Sequence, residues 1–376
     1  MKLSDLPTPC LVLDRLVLAR NIDRMAQAVG RLGVPLRPHM KTAKSIDVAR
    51  MVLANKAAAI TGITVSTLAE AEYFSAHGIT DILYAVGITP QKLDRVAKLN
   101  AAGADVKVIT DDLDTARAIA THPIAAHAGK LRALIEIDCG EARGGIAADD
   151  ENLEAIGTAL GASLLGVMTH AGHSYAGRSI AEMGDIAEAE RRAALHAARR
   201  LRAAGMDCPV VSVGSSPTAL HARALGGVSE TRPGVYMFGD LFQAEIHTVE
   251  PDSIAVTVLA SVIGRRPAEN RIVIDAGGMA LSKDRATESA PHDYKFGLVL
   301  DLQGRRTLGT SVVARANQEH GVVDLDPAVA IPPLCIGAKL RVAPNHTCMT
   351  AAAHDRYYVV EGSDEVVAIW PRIGGW

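Results

Sequence analysis

The sequence predicts an α/β protein built from a (β/α)8 barrel of the TIM type and a second domain that is rich in β-strands. Over residues 15–245, eight apolar segments alternate with amphipathic helical patterns. This alternation is typical of parallel strands joined by right-handed crossovers, and eight repeats predict a closed barrel. Over residues 246–376, runs of β-branched residues replace the helical patterns. An open, doubly wound sheet is the alternative, but no G-x-G-x-x-G motif follows an early strand.

The individual elements are predicted from apolar periodicity and turn residues. A strand at 10–14 is assigned, with the rest of residues 1–14, to the second domain, and a helix at 16–32 follows it. The barrel strands are predicted near 34–38, 58–65, 80–86, 105–110, 131–138, 163–170, 209–213 and 234–238. The helices between them are predicted near 45–56, 67–77, 90–102, 112–121, 150–161, 179–205 and 216–225. In the second domain, strands are predicted at 253–265, 270–275, 295–302 and 339–342, with Pro332-Pro333 among the turn residues.

Composition and charge exclude several classes of function. Hydrophobic residues make up 48% of the 376 residues and charged residues 22%, which is typical of a globular protein with a substantial core. A net charge of -3 gives no electrostatic basis for binding nucleic acid or an anionic membrane. Five scattered cysteines do not predict a disulfide framework, and we find no signal sequence and no apolar run that could span a membrane. The sequence therefore predicts a cytoplasmic protein.

A lysine follows the first predicted barrel strand, in the stretch Arg37-Pro38-His39-Met40-Lys41-Thr42. Most lysines near a turn are solvated surface charges, but an amine at the mouth of a strand-to-helix turn can be partly desolvated. Desolvation favours the neutral form that a Schiff-base lysine needs. After the seventh strand, Gly214-Ser215-Ser216 could present amides and hydroxyls to a phosphate, and Gly234 and Tyr236 belong to the eighth. Since phosphate sites of such barrels favour these two loops, the pairing predicts pyridoxal 5'-phosphate (PLP), with its aldehyde on Lys41.

A second group of polar residues lies in the β-rich domain, where His346 and Cys348 are one residue apart. On an extended segment, residues two apart point to the same face, so these side chains could hold one metal ion. An imidazole and a thiolate favour zinc, with another divalent metal possible, and two protein ligands leave positions open for catalysis. The alternative is an inert buried cysteine beside a structural histidine.

With these residues the chain resembles the fold-type III PLP enzymes, the alanine racemase-like group. Within that group it most resembles the metal-dependent family of D-serine dehydratases and D-threonine aldolases. The shared motifs also include Leu6-Pro7-Thr8-Pro9, Val65-Ser66-Thr67-Leu68-Ala69-Glu70-Ala71, Asp138-Cys139-Gly140, Arg232-Pro233-Gly234 and Gln318-Glu319-His320-Gly321. The resemblance implies that Lys41 carries PLP and that His346 and Cys348 hold zinc beside the β-hydroxyl of the substrate. It also implies that Arg143 and Tyr175 line the cofactor ring. We assign His39 and His170, which follow the first and sixth strands, to the same cofactor site.

The function implied by this resemblance is that of a D-serine dehydratase, which forms pyruvate and ammonia. The cysteine at position 348 favours it over an aldolase, whose metal motif often has aspartate there. The alternatives are retro-aldol cleavage to glycine and an aldehyde, a metal-free racemase, and a non-catalytic PLP carrier. Gln318-Glu319-His320 is either a polar wall near the metal or a surface loop, and Ala43 stands where relatives commonly carry histidine. We also expect a homodimer that acts on a small D-amino acid, without nucleic acid or membrane partners.

Overall fold

The computed structural model describes residues 1–123, 131–330 and 334–376, so Pro332-Pro333 lies outside the described residues. The chain divides into two compact units. One, the α/β unit, contains Asp23–Gly234 with Gly375–Trp376, and the other, the β-rich unit, contains Met1–Ile22 with Val235–Gly374. Within the described ranges, every helix is too short or too polar to cross a lipid bilayer.

The α/β unit is built on a parallel sheet whose strands follow one another in chain order. These strands are Ile63–Val65, Asp81–Gly87, Asp105–Thr110, Arg132–Asp138, Leu164–Thr169, Val210–Val213 and Glu230–Thr231, with the short Ile146–Ala147 beside Arg132–Asp138. The helices around the sheet are Ile46–Leu53, Leu68–Ala76, Leu93–Ala101, Leu113–Ala120, Leu153–Leu160, Ile180–Ala203 and Ser216–His221. A further helix, Arg15–Gly30, precedes them. The predicted α/β architecture is therefore confirmed.

The segment around Leu36, predicted as the first barrel strand, forms hydrogen bonds with both ends of this sheet. The amide of Leu36 donates to the carbonyl of Ala59 (2.7 Å), and the amide of Arg37 donates to the carbonyl of Thr231 (2.9 Å). The buried Arg37 side chain adds an ion pair with Glu230 (2.7 Å) in the last strand. The parallel sheet is therefore curled, with this segment between its first and last strands.

The eighth strand predicted at 234–238 is wrong, because Val235–Met237 forms a 3-10 helix and the strand lies earlier, at Glu230–Thr231. Residues 235–238 are all buried, so the apolar run correctly indicated a buried segment. A short apolar run does not distinguish a strand from a buried helical turn, however. Pro233 also has no amide hydrogen to continue the strand pairing.

The β-rich unit contains a nine-stranded sheet that closes on itself. In spatial order its strands are Arg271–Ile274, Gly321–Asp324, Val312–Ala316, Leu298–Leu300, Lys339–Ala343, Val256–Arg266, Cys10–Asp14, Arg356–Val360 and Ala368–Pro371. Arg271–Ile274 also pairs with Val256–Arg266, which closes an antiparallel barrel of six strands. The helices of this unit are Leu241–Glu245, Gly278–Leu281 and Thr347–Ala351. Among the described residues, further 3-10 helices are Leu3–Asp5, Pro251–Ser253 and Pro267–Glu269 in this unit and Pro90–Lys92, Gly161–Ser163 and Gly172–Ala176 in the α/β unit.

Sequence patterns found five of the nine described strands in this unit. The strand predicted at 10–14 is present with the same ends, and those predicted near 253–265, 270–275, 295–302 and 339–342 are present with shifted ends. Four others were missed, namely Val312–Ala316, Gly321–Asp324, Arg356–Val360 and Ala368–Pro371. These strands have only four or five residues each. Because such short segments carry little periodicity, the pairing of neighbouring strands rather than the local pattern defines them.

Candidate active site

A cavity of about 340 Å³ in the α/β unit, which we call the Lys41 cavity, contains four of the predicted residues. Lys41, His39, Arg143 and His170 line it, and Lys41 is the one lysine among its described lining residues. The other lining residues are Ser66, Ala85, Val86, Gly87, Asp111, Glu136, Gly144, Met168 and Arg232. They come from several strands and from the loops after them, which is where an α/β barrel carries its chemistry.

Backbone hydrogen bonds hold Lys41 at this position. The amide of Met40 donates to the carbonyl of Thr64 (2.8 Å), and the amide of His39 donates to the carbonyl of Pro233 (2.9 Å). Lys41 itself is exposed, so protein atoms alone do not desolvate its amine. The partial desolvation expected from the sequence is therefore not provided by the protein by itself. By contrast, the amine of Lys44 forms an ion pair with the fully buried Glu70 (2.9 Å). Lys41 is therefore the better placed of the two to react.

Ala43, which stands where relatives commonly carry histidine, is completely buried. It lies in the same segment as Lys41. Because interiors are close-packed, an imidazole would need a rearrangement of this segment. Ala43 therefore fits its local surroundings.

The two histidines of the Lys41 cavity are uncharged at neutral pH. Burial, followed by the positive charge of Lys41, lowers the pKa of His39 well below its usual value. The same two causes lower the pKa of His170 to about 3. Arg143 is exposed and pairs with Glu141 (3.3 Å), whereas Arg232 is buried and donates to the hydroxyl of Ser212 (2.7 Å). The cations of the cavity are thus a lysine and two arginines.

The turn Gly214-Ser215-Ser216, predicted to bind phosphate, is held by protein groups. Gly214 has a φ of +122°, and a side chain there would clash with the hydroxyl of Thr231. The amide of Gly214 donates to Glu190 (2.9 Å), and the amide of Ser215 donates to the hydroxyl of Thr218 (3.0 Å). These two amides therefore already have acceptors within the protein.

Glu190, which the sequence analysis missed, organises this turn. It lies on the helix Ile180–Ala203 and is 1% exposed. Besides Gly214, its carboxylate accepts hydrogen bonds from the hydroxyl of Thr218 (2.8 Å) and from the amide of Ala171 (3.1 Å). The ring of His170, which lines the Lys41 cavity, contacts the carbonyl of Gly214 (3.2 Å). One buried carboxylate thus fixes two loops at the carboxyl ends of neighbouring strands.

The remaining predicted cofactor residues do not line the Lys41 cavity. Tyr175 is half-buried in the 3-10 helix Gly172–Ala176. At Gly234 a side chain would lie 3.0 Å from the Cβ atom of His39, so glycine permits a close approach of the two segments. Tyr236 belongs to the β-rich unit, where burial raises its pKa.

In the β-rich unit, His346 and Cys348 lie together with two carboxylates that the sequence analysis missed. The Nδ1 atom of His346 is 2.7 Å from Asp284, and its side chain is also hydrogen-bonded to Cys348. The fully buried Asp240 accepts a hydrogen bond from the amide of Thr347 (2.9 Å). We call Asp240, Asp284, His346 and Cys348 the His346 cluster.

The extended geometry predicted for His346-x-Cys348 is wrong, because a helix begins at Thr347. His346 is the residue before this helix, and Cys348 lies in its first turn. Asp240 accepts the Thr347 amide, which is one of the free amides at the start of the helix. The two side chains nevertheless meet, so the correction concerns the backbone and not the pairing.

The His346 cluster fits a metal ion with two protein ligands. Burial would lower the pKa of His346, but the hydrogen bonds with Asp284 and Cys348 raise it to about 11. A carboxylate on Nδ1 leaves Nε2 available for a metal, which is the usual arrangement of a metal-binding histidine. Among the described residues there is no group of three or more histidines, cysteines or acids that would enclose a metal. The donor types, nitrogen and sulfur, are those of zinc sites.

Gln318-Glu319-His320 is an exposed loop. Its backbone accepts hydrogen bonds, since the carbonyl of Gln318 receives the amide of Met279 (3.1 Å). All three residues are exposed in the described β-rich unit. Of the two possibilities predicted for this segment, a polar wall near the metal or a surface loop, the structure therefore has the surface loop.

Comparison with known proteins places the chain in a family. Residues 13–241 match the model of the alanine racemase N-terminal domain, and residues 255–360 match that of a putative serine dehydratase domain. The chain is 44% identical to D-threo-3-hydroxyaspartate dehydratase of Delftia sp. (strain HT23), over 100% of this chain and 99% of the relative. The chain belongs to the alanine racemase-like PLP enzymes. Within this group it is a PLP-dependent lyase of the dehydratase and aldolase family, as the sequence motifs predicted.

Two further relatives of these alanine racemase-like lyases bear on the site. D-serine dehydratase of Dictyostelium discoideum is 29% identical over 97% of this chain and 96% of the relative. A solved structure of D-threo-3-hydroxyaspartate dehydratase, a cysteine-to-alanine variant in the metal-free form, has a TM-score of 0.94 and 42% identity over 100% of both chains. Both relatives are dehydratases, so the comparisons favour a lyase over the racemase and carrier alternatives.

Proposed function

We propose that this lyase dehydrates β-hydroxy-D-amino acids with PLP and a divalent metal ion, of which zinc is the first candidate. The observation that carries the proposal is the pairing of His346 with Cys348 while Asp284 lies on Nδ1 of the same ring. Hydroxide is a poor leaving group at neutral pH, so its elimination from a β-carbon calls for a Lewis acid. A racemase removes no β-substituent and has no use for such a metal.

In this proposal Lys41 carries PLP and its amine removes the proton from Cα of the substrate. PLP, when bound, supplies the electron-withdrawing ring that stabilises negative charge at Cα. Because His39 and His170 are uncharged, the positive charge of the Lys41 cavity comes from lysine and arginine. Such a cavity attracts the anionic groups of both cofactor and substrate. We assign Arg143 and Tyr175 to the sides of the cofactor ring.

We assign the phosphate of PLP to Gly214, Ser215, Ser216, Gly234 and Tyr236. The amides of Gly214 and Ser215 have protein acceptors, and the hydroxyl of Ser215 lies 2.8 Å from that of Ser174, so phosphate binding would exchange contacts that this turn already makes. Glu190 is a positioning residue in this scheme, because it holds the backbone of Gly214 and the hydroxyl of Thr218.

We assign the metal to Nε2 of His346 and the thiolate of Cys348. The metal, when bound, would act as a Lewis acid on the β-oxygen of the substrate. Asp284 fixes the orientation of the His346 ring from the opposite nitrogen.

The preferred substrate is the finer part of the proposal. D-serine was the choice from sequence motifs alone. The relative with 44% identity acts on D-threo-3-hydroxyaspartate according to its name, whereas the D-serine dehydratase is 29% identical. We therefore propose D-threo-3-hydroxyaspartate as the first substrate to test and D-serine as the second.

Product analysis separates dehydration from the aldolase alternative. The holoenzyme is incubated with each of the two substrates, and keto acid, ammonia and glycine are measured. Dehydration forms equal amounts of keto acid and ammonia from the substrate consumed, because the product left after loss of water hydrolyses at its carbon–nitrogen bond. Glycine with an aldehyde would instead establish retro-aldol cleavage. Racemised substrate, without keto acid or glycine, would instead establish the racemase alternative.

The remaining structural assignments are also proposals. We propose that the curled sheet of the α/β unit is a closed (β/α)8 barrel, in which residues 35–40 supply the first strand. We propose a PLP-binding domain of residues 15–245 and a metal-binding domain of residues 246–376 with 1–14. A homodimer and a cytoplasmic location stay predictions, and sedimentation velocity of the holoenzyme tests the first of these.

A further inference from the structure

The β-rich unit contains a second cavity, of about 700 Å³, that includes none of the predicted cofactor or metal residues. We call it the Arg341 cavity, because the side chain of Arg341 lines it although the residue is only 4% exposed. Arg341 lies on the strand Lys339–Ala343. An almost fully buried arginine in a cavity of this size is unusual, since buried charges are normally paired.

The guanidinium of Arg341 is only partly satisfied by the protein. Its Nε atom donates to the hydroxyl of Thr257 (2.8 Å). Within residues 1–123, 131–330 and 334–376, neither of its two Nη atoms has a hydrogen-bond acceptor, and no carboxylate forms an ion pair with it. Burial lowers the pKa of Arg341 to about 10, so the group still carries its charge at neutral pH. Four N–H donors are therefore left for whatever occupies the cavity.

The two carboxylates that act electrostatically on Arg341 are engaged elsewhere. Asp14 accepts the amides of Leu16 (2.9 Å), Val17 (3.2 Å) and Gly362 (3.1 Å). Asp301 accepts the Nε group of Arg305 (2.9 Å) and the hydroxyl of Thr307 (3.0 Å). Because their oxygens have these donors, neither carboxylate can turn to Arg341 without losing existing bonds.

The walls of the Arg341 cavity indicate what kind of anion fits. Leu298, Leu300 and Ala343 provide apolar surface, which suits a ligand with a carbon skeleton. Exposed charges of both signs also line the cavity, namely the acids Glu250 and Asp252 and the arginines Arg305 and Arg306. Arg305 is engaged by Asp301 (2.9 Å) and Arg306 by Tyr294, so the lining offers no excess of available cations for a multiply charged anion such as phosphate. A phosphate dianion also normally gathers several cationic or amide donors.

We propose that Arg341 binds the carboxylate of a small organic acid in this cavity. A carboxylate matches the planar guanidinium and can accept two parallel hydrogen bonds from it. The turn that contains Gly304 passes directly over the group, since a side chain at Gly304 would come within 2.7 Å of Nη1. The backbone therefore leaves the apolar side of the cavity as the place for the rest of the ligand. This site is independent of the proposed reaction and of its cofactors.

Thermal unfolding of the PLP-bound protein tests the proposal, with acetate and pyruvate as the probes. Sodium chloride of equal ionic strength is the reference, and sodium phosphate is the competing anion. We expect ~100 mM acetate or pyruvate to raise the Tm of the wild-type protein by about 2 °C or more above chloride, because ligands that bind only the folded state stabilise it. Phosphate should give a smaller rise.

The variant Arg341→Met should lose the carboxylate-dependent rise while keeping a Tm in chloride that equals or exceeds that of the wild type. Removal of an unpaired buried charge accounts for this second effect. Arg315→Met is the matched control, because Arg315 is exposed on the strand Val312–Ala316 of the same sheet. It should retain the full rise. Arg341→Lys keeps the charge but not the planar fork, and should retain only part of the rise.

Several results would overturn the proposal. A wild-type Tm that is the same in carboxylate and chloride would mean that water alone satisfies Arg341. An equal rise in wild type and Arg341→Met would place the bound carboxylate elsewhere, for example in the Lys41 cavity. A larger rise with phosphate would overturn the assignment to a carboxylate. If Arg341→Met does not fold, the comparison of Arg341→Lys with the wild type decides, and an undiminished rise in Arg341→Lys contradicts the proposal.

Discussion

The pKa values of the histidines are shifted in opposite directions in the Lys41 cavity and in the His346 cluster. In the Lys41 cavity, burial and a nearby lysine lower the pKa of His39 and His170. In the His346 cluster, burial also opposes the charged form, but the hydrogen bonds with Asp284 and Cys348 prevail and raise the pKa of His346 to about 11. The neighbouring groups, and not burial alone, therefore decide the charge of each histidine.

The difference shows which ligand each region suits. The Lys41 cavity keeps its histidines neutral and sets one lysine and two arginines against the acids Asp111 and Glu136. Its lining therefore has an excess of cations, which suits an anionic cofactor and substrate. In the His346 cluster, Asp284 lies on one nitrogen of the imidazole and Cys348 is hydrogen-bonded to the same side chain, so the pair His346 and Cys348 suits a cation with two protein ligands. A bound metal would replace the proton on Nε2 of His346, because a metal-binding histidine is the neutral form.

The largest effect that separates the two regions is expected from Lys41→Ala. We expect loss of the visible absorbance of protein-bound PLP and a fall in kcat of at least about 10³-fold, because both the attachment point and the base are removed. Lys44→Ala is the control, since Lys44 is paired with Glu70 and does not line the Lys41 cavity. If Lys41→Ala keeps the absorbance and the turnover of wild type, another lysine carries the cofactor.

The next effect concerns Asp284, which holds the ring of His346. For Asp284→Asn we expect a loss of about 10–100-fold in metal affinity, because the carboxylate partner of a metal-binding histidine is removed. Competition with a fluorescent chelator measures the affinity, and the PLP absorbance should not change.

Asp324→Asn serves as the control for Asp284. Asp324 is a surface residue of the same unit, where it pairs with Arg271 (2.6 Å). Equal metal affinities for wild type and Asp284→Asn would mean that Asp284 has no part in the site.

A smaller effect is expected at Glu190, which positions the turn after the seventh strand. Glutamine at this position has one acceptor oxygen instead of two and can donate to Thr218, which now donates to Glu190. We expect Glu190→Gln to weaken PLP binding to the apoenzyme by about 10-fold, which corresponds to one altered charge-assisted hydrogen bond. Binding of pyridoxal, which has no phosphate, should be unchanged.

Two controls separate a local effect of Glu190 from a general one. Glu188 lies on the same helix, but it is paired at the surface with Arg191 (2.8 Å). The variant Glu188→Gln should therefore bind PLP like the wild type. Ser216→Ala tests the phosphate assignment itself. If Glu190→Gln weakens PLP and pyridoxal equally, Glu190 supports the fold and not the phosphate turn.

The last prediction concerns the dependence of folding stability on pH, which neither turnover nor binding measures. His170 has a folded pKa of about 3 and an unfolded pKa near 6.5, so below about pH 6.5 the unfolded chain binds more protons. The free energy of unfolding should therefore fall as the pH falls from about 6.5 towards 3, by up to ~1.4 kcal/mol per pH unit for this group. His170→Gln should make the fall less steep, as urea unfolding at pH 7 and pH 5 measures. His77→Gln, at an exposed histidine, is the control, and an equal slope in all three proteins would contradict the assignment.

The sequence predicted the parallel half of the fold better than the antiparallel half. Each βα repeat contains its own strand, loop and helix, so local periodicity carries most of the information. In the β-rich unit, strands such as Gly321–Asp324 are defined by partners far away in the chain. The eighth barrel strand was misplaced for a related reason, because the apolar run 235–238 is buried in a 3-10 helix and the next residues.

The sequence also suggested candidate reactive residues more readily than the residues that hold them. Lys41 and the His346-x-Cys348 pair were proposed because their residue types and positions suggest chemistry. Glu190 was missed because one acid in a charged helix resembles a surface residue, and only the fold shows that it is 1% exposed. Asp284 was missed because it pairs with His346 across 62 residues of chain, which no local pattern records.

The most direct test of the account is exhaustive chelation of the holoenzyme, followed by turnover of D-threo-3-hydroxyaspartate and D-serine. The account predicts that turnover stops and returns when metal is added back, while PLP absorbance and Tm remain nearly unchanged. Stability should change little because His346 and Cys348 are one residue apart, so the metal closes almost no chain loop. Cys348→Ala should behave like the chelated wild type and should not recover with added metal. Full activity after chelation, with no metal found by elemental analysis, would contradict the account and leave His346 and Cys348 as packing residues.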